Sequence, residues 1–216
     1  MKSIITSVSP YLCEKIASGD CKILVKKSAP KEVPFKVFIY CTKMRKKADL
    51  ITKSENFGWI RCAASSLFNR AEEYDANGKV IGEFICDRID EYKYVYCDHP
   101  EIGYPVGYDC GDNWYDIDDE DLQKACLTEE EFKRYGKENT LYGWHISDLK
   151  IYDKPKKLNE FKTPPCEKSE KACGNCKWFV KINTPDVYEC ECYVEDGRQI
   201  ISSPRSWQYV EEIETR

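Results

Sequence analysis

The sequence predicts an α+β chain of short strands with a few helices, and three observations predict it. The first is the stretch from Ser3 to Lys27, which runs through strand, helix and strand signals in quick succession. The second is a set of apolar runs of strand length, such as Val37-Phe-Ile-Tyr-Cys41, punctuated by the strong turn signal Asn77-Gly78. The third is a cysteine array near the end, Cys173-x2-Cys176 and Cys190-x-Cys192, whose spacing marks a small metal-stapled module.

Ser3 to Val8 reads as a strand. Ser9 caps a helix, and Pro10 suits its first turn, where an N–H is not needed. The helix runs through Leu12, Cys13, Ile16 and Ala17, and Gly19 supplies a left-handed stop. A strand follows from Lys22 to Lys26. Alternation puts Lys22, Leu24 and Lys26 on one face and Ile23 and Val25 on the other. Two lysines opposite the apolar residues, just after a short helix, suit an anionic ligand.

Val37 to Cys41 is a third strand. Lys43 to Lys53 is polar and basic and reads as a loop, and Phe57 to Tyr74 is ambiguous, with Arg61 to Glu73 open to a helical reading. After the Asn77-Gly78 turn, Lys79 to Ile89 reads as a strand with Val80, Phe84 and Cys86 inward. Tyr92 to Tyr115, rich in Tyr, Gly, Pro and Asp, reads as an elaborated loop, and loops of that length carry function disproportionately. Asp116 to Asp121 is an acidic run of the sort that starts helices or stays solvated, without calcium-loop spacing. Thr128-Glu-Glu-Glu131 is a capping box that opens a helix ending at Gly136. Asp153-Lys-Pro155 reads as a turn.

Several of these stretches together resemble the ASCH domain, a branch of the PUA-like small β-barrels, in its phage and prophage version. They are the Ser3–Lys27 block, Val37–Lys43, Gly78–Phe84, Leu141-Tyr-Gly-Trp-His-Ile-Ser-Asp-Leu-Lys-Ile-Tyr-Asp-Lys-Pro155 and Ser203-Pro-Arg-Ser-Trp-Gln-Tyr-Val-Glu-Glu212. The resemblance implies a small mixed β-barrel with flanking helices over residues 1–161, with insertions at about 44–76 and 92–117. A linker at 162–172 and a Cys-rich extension at 173–216, packing back on the barrel, complete the expected organisation. Tyr142 to Tyr152 becomes a strand bordering the cleft beside the first helix.

The chain departs from the family pattern where function is read. Cys21-Lys22 stands in place of Lys-Thr, Leu24 in place of an acidic residue, and Lys26 in place of arginine. The family resemblance also implies an amidohydrolase acting on an acylated nucleoside such as N4-acetylcytidine, but its Lys, Thr and Glu set cannot be placed here. The leading expectation is therefore a non-enzymatic module that binds RNA, DNA or a modified nucleotide. Lys22 and Lys26 would contact phosphate or carbonyl, and Trp144 and His145 would bracket a base. Trp144 as barrel core and His145 as a hydrogen-bonded core histidine remain open. A third expectation is a phage counter-defence factor, anti-CRISPR-like, with a host protein partner that its acidic segment would engage.

Charge is unevenly spread: residues 1–53 carry +8, residues 54–131 carry −14, and the whole chain −5. That balance excludes nonspecific coating of nucleic acid, which needs a basic field, but leaves a local basic face from Lys22 to Lys47. No apolar run approaches the roughly 20 residues of a membrane span, and the start lacks a signal-peptide core. A cytoplasmic protein with no membrane association is expected, its scattered cysteines reduced. In the C-terminal array, two close thiolate pairs suit tetrahedral zinc, and a segment too short for its own core gains from such a staple. Where relatives carry a tail cysteine, this chain has Gln208, so the resemblance assigns the fourth position to Cys192 and leaves Cys166 in reserve. Structural zinc on Cys173, Cys176, Cys190 and Cys192 is the expectation.

Overall fold

Ser9 sits at the junction that sets the first layer. Its backbone is extended (φ −65°, ψ 151°), and its hydroxyl accepts from the Leu12 N–H at 3.4 Å, so one element stops and the next starts. The computed structural model describes residues 1–43, 50–54, 58–62, 75–95, 114–164, 179–181, 188–190, 200 and 202–212. Of these, residues between 50 and 62, residue 114, those between 179 and 190, and residue 212 are described by backbone alone.

Strand β1 (Ser3–Val8) leads into helix α1 (Pro10–Ala17), which Gly19 closes at φ +81°. Strands β2 (Ile23–Lys26) and β3 (Phe35–Cys41) follow. A hairpin of β4 (Leu50–Ser54) and β5 (Gly58–Cys62) comes next. It takes up the end of the stretch expected as a basic loop. It also holds Arg61 in a strand rather than in the expected helix, whose other residues lie outside those described. Strand β6 (Val80–Cys86) leaves the turn at Gly78 (φ +74°), with Val80, Phe84 and Cys86 all fully buried. Strand β7 (Ile89–Tyr92) then enters a different sheet. Strands β8 (Tyr94–Val95) and β9 (Trp114–Tyr115) pair at the base of the long expected loop, whose residues 96–113 lie outside those described.

The acidic run becomes the start of α2 (Asp119–Lys124). Asp118 caps it by accepting from the Asp121 N–H at 2.7 Å, and three acidic side chains occupy the first turn, where the helix dipole favours them. Helix α3 (Glu129–Gly136) opens on the full capping box. The Thr128 hydroxyl accepts from the Glu131 N–H at 3.2 Å, and the Glu131 carboxylate accepts from the Thr128 N–H at 3.0 Å. Strands β10 (Leu141–His145) and β11 (Ser147–Lys156) divide at Ile146 and join different sheets. The turn expected at Asp153 to Pro155 does not form. Strand β11 runs through it at the edge of its sheet, where proline's missing N–H is tolerated. Short strands complete the chain: β12 (Phe161–Lys162), β13 (Phe179–Lys181), β14 (Tyr188–Cys190), β15 (Trp207–Tyr209) and β16 (Glu211–Glu212).

The result is a mixed α+β chain with a sheet-rich core. One sheet has the order β11-β6-β3-β1-β15, with β1 and β3 parallel and its other pairings antiparallel. The other has the order β2-β10-β7, antiparallel throughout. The sheets face a common core in which Ile4, Val37, Ile39 and Phe84 meet Leu24 and Trp144, and Cys13 and Ile16 of α1 close one side. A second cluster covers the opposite face of the three-stranded sheet: Ile23, Val25, Tyr92 and Leu141 pack against Tyr115, Leu122 and Phe132. A third covers the back of the five-stranded sheet, where Ile5, Phe38 and Tyr40 meet Phe161 and Val210.

Gly82 marks how closely β6 and β11 approach. A Cβ there would lie 2.4 Å from the Lys150 carbonyl oxygen and 3.0 Å from the Ile151 Cα. Backbone cannot retreat as a flexible side chain does. Gly82→Ala is expected to cost about 1–3 kcal/mol, read as a lower urea midpoint with an unchanged m-value. Wild-type stability in the variant would contradict this packing.

Candidate functional site

The two faces of β2 decide where its lysine goes. Leu24 belongs to the core between the sheets, whereas Ile23 and Val25 belong to the helix-covered side. Lys26 shares the face of Leu24, so its side chain turns inward rather than toward solvent, and only 6% of it is exposed. Lys22, on the same face in the sequence pattern, precedes the strand and is exposed.

Lys26 borders a cavity of about 500 Å³ between the end of β1, the first turn of α1, β2 and α3. Its apolar walls include Val8, Leu12, Leu24, Val25 and Leu127. The Lys26 ammonium donates to the Ser7 carbonyl at 2.7 Å, its one hydrogen bond among the described residues. Burial pushes its pKa down to about 8, with the nearby Cys13 thiol opposing. The thiol in turn is raised by burial and by its hydrogen bond to Cys41.

The rim of the cavity is aromatic and polar. Tyr11 and Tyr135 line it and remain 40% and 38% exposed. Lys27 places its ammonium 5.0 Å from the Tyr135 ring centre, within cation–π range. Arg134 and Glu131 also line the cavity. The Glu131 carboxylate is committed to the helix cap: hydrogen bonds from the Thr128 backbone and hydroxyl hold its pKa below the usual range.

The other two residues singled out in the sequence lie outside this lining. Trp144 is fully buried, edge-on to Phe35 at 5.4 Å and to Trp207 at 6.1 Å. Its indole N–H has no partner among the described residues. His145 is half-buried, with a ring nitrogen 2.5 Å from Asp90, which also accepts two bonds from Arg88 at 2.9 and 2.8 Å. Burial raises the Asp90 pKa, but His145 and Arg88 outweigh it and hold the carboxyl below its usual range. Thus the cavity gathers Lys26 with Ser7, Ser9, Tyr11, Arg134 and Tyr135, and leaves out Lys22, Trp144 and His145. The signal for the α3 residues was their place on a well-capped helix; nothing local in the sequence shows that this helix lies against β2. Of the proposed zinc ligands, Cys173, Cys176 and Cys192 lie outside the described residues, and Cys190 ends β14 opposite Phe179. No cluster of three or more metal-binding side chains occurs among the described residues.

The buried amine gives a pH signature. Its pKa rises from about 8 in the fold to the ordinary 10.5 in the unfolded chain. Across that window the unfolded chain holds a proton that the folded one has released, so stability rises with pH. Lys26→Met abolishes this contribution. Between neutral pH and pH 10.5 the wild type should gain roughly 2–3 kcal/mol relative to the variant in urea unfolding. Parallel stability curves would show that the amine is not desolvated.

No family model matches the chain, and no curated protein does. Among solved structures, it aligns with the crystal structure of ASCH from Zymomonas mobilis at a TM-score of 0.39 and 14% identity, covering 73% of this chain and 74% of that one. A point mutant of the same Zymomonas mobilis protein aligns at a TM-score of 0.40 and 13% identity, covering 73% and 77%. Both are structures of the family that the sequence resembles.

Proposed function

We propose that the chain is a non-enzymatic module that binds a nucleotide, or a base of RNA or DNA, in the cavity between α1, β2 and α3. The observation that carries this reading is Lys26: an ammonium 6% exposed, with one hydrogen bond, bordering a cavity of about 500 Å³. A buried charge held by a single carbonyl costs stability, and a ligand that presents acceptors offsets that cost. A lysine has three N–H donors, so two remain for a carbonyl or phosphate oxygen. Tyr11 and Tyr135 offer faces on which a base can stack, worth about 1–3 kcal/mol each. Arg134 and Lys27 add positive charge at the mouth. The first turn of α1 has no acidic side chain, so its dipole favours an anion there as well. The cavity is of ligand size, in the range of about 300–1,000 Å³. We read the two facing sheets as a small β-barrel of the PUA-like kind, with this cavity at its mouth.

A second reading, hydrolysis of an acylated nucleoside such as N4-acetylcytidine, is favoured by the pKa of Lys26. Near 8, the amine is partly neutral at physiological pH and able to take a proton. Calorimetric titration against nucleoside monophosphates and short oligonucleotides separates the two. Lys26→Gln should weaken binding by roughly 10- to 100-fold, the loss of a charged hydrogen bond, while Lys22→Ala should change it less than about twofold. A wild-type chain that binds none of the panel would sink the proposal. Acetate release from N4-acetylcytidine that disappears in Lys26→Gln would favour the second reading.

For the C-terminal module we propose structural zinc on Cys173, Cys176, Cys190 and Cys192. The antiparallel pairing of Phe179 with Cys190 supports it, since Phe179 follows Cys176 by only three residues in the sequence. Four thiolates would close the coordination sphere and tie the hairpin. Elemental analysis should find one zinc per chain, lost in the double variant Cys173→Ser and Cys176→Ser. A metal-free wild-type protein purified under reducing conditions would contradict it.

A further inference from the structure

Helix α2 ends in a Schellman arrangement. The Cys126 N–H donates to the Gln123 carbonyl at 3.0 Å and the Leu127 N–H to the Leu122 carbonyl at 3.2 Å. The left-handed position of that motif normally belongs to glycine, because a Cβ is disfavoured there. Here it is Cys126, at φ +53°. A residue held in a conformation that suits another residue type points to a role for its side chain.

That side chain has a partner. The thiols of Cys126 and Cys21 are close enough to shift one another's titration. The Cys21 sulfur also lies 3.8 Å from the Ala125 carbonyl and 3.3 Å from that of Ile23. The two backbones are clipped together beside them, as the Lys22 N–H donates to the Lys124 carbonyl at 2.7 Å. Cys21 is buried and Cys126 is partly exposed, so one thiol is open to a small reagent and the other stands behind it.

We infer that Cys21 and Cys126 form a reversible disulfide that ties the entry of β2 to the turn between α2 and α3. The oxidant is a small disulfide such as oxidised glutathione. The Cys126 thiolate attacks one of its sulfurs, forming a mixed disulfide and expelling one glutathione thiolate. The Cys21 thiolate then attacks the Cys126 sulfur and expels the second. Two protein thiols are oxidised, one small disulfide is reduced to two thiols, and the protons of the protein thiols pass to the leaving groups. The groups facing Cys126 are Lys15, Asp20 and Cys21. Burial pushes Cys21 up to about 12 and also raises Cys126, with Lys15 opposing at the latter. Exchange is therefore slow at neutral pH and faster as the thiolates form. The neighbours of Cys126, Ala125 and Leu127, line the cavity beside Lys26, so the link fixes one wall of it.

The test treats the full chain with oxidised glutathione in mildly alkaline buffer, alkylates the remaining thiols and maps the peptides by mass. The expected product joins the Cys21 and Cys126 peptides, two hydrogens lighter than their sum, and reverts with dithiothreitol. It closes a long loop, so the thermal midpoint should rise by roughly 10 °C. Cys126→Gly places glycine where the turn favours it, so this variant should fold, form no such product and lack that rise. Recovery of Cys126 from the wild type as a free thiol, as a glutathione adduct or joined to a different cysteine would overturn the inference.

Discussion

Everything described here depends on one constraint: β2 is covered on both faces. A strand with one wet face can carry lysines cheaply, with their ammonium groups in water. Strand β2 has the shared core on one side and the α2–α3 layer on the other, so no side chain within it has a free route to solvent. Ile23, Leu24 and Val25 satisfy that constraint, and Lys26 does not. Its ammonium is left at the end of the strand against a single carbonyl, where the sheet opens into the cavity. The cavity and the displaced pKa are thus two aspects of the same packing.

The same covering layer supplies the other side of the cavity. Helix α3 presents apolar Phe132 to the sheet, edge-on to Tyr92 at 5.6 Å and Tyr115 at 5.1 Å. It sends Arg134 and Tyr135 to the cavity from the same turn. The capping box commits the Glu131 carboxylate to the start of α3. Cation and aromatic groups therefore meet without a compensating carboxylate among the lining side chains beyond Glu131 itself.

Much of this was legible in the sequence where the signal was local. The Ser9 cap, the Gly19 stop, the Asn77-Gly78 turn and the Thr128–Glu131 box each depend on a few adjacent residues, and each stands where its chemistry places it. What escaped depended on distant residues. The alternation in β2 is legible in its own residues, but its lysine-bearing face meets the five-stranded sheet rather than water, and that depends on how the two sheets pack. Trp144 reads equally as a stacking platform or as core, and only its position beside Phe35 and Trp207 settles its burial. Pro155 suggested a turn; it lies in a strand because that strand is at a sheet edge, a fact of topology.

The placement of β15 has a consequence for how the chain is assembled. It flanks β1 directly, with Ile4 across from Tyr209 and Thr6 across from Trp207. Strand β1 is therefore an unfinished edge, its outer amides unpaired, until residues some two hundred positions later emerge. Such distant pairings slow folding, and open edges invite intermolecular contact. The newborn chain thus has to remain shielded, or be shielded by others, until β15 arrives to cover β1.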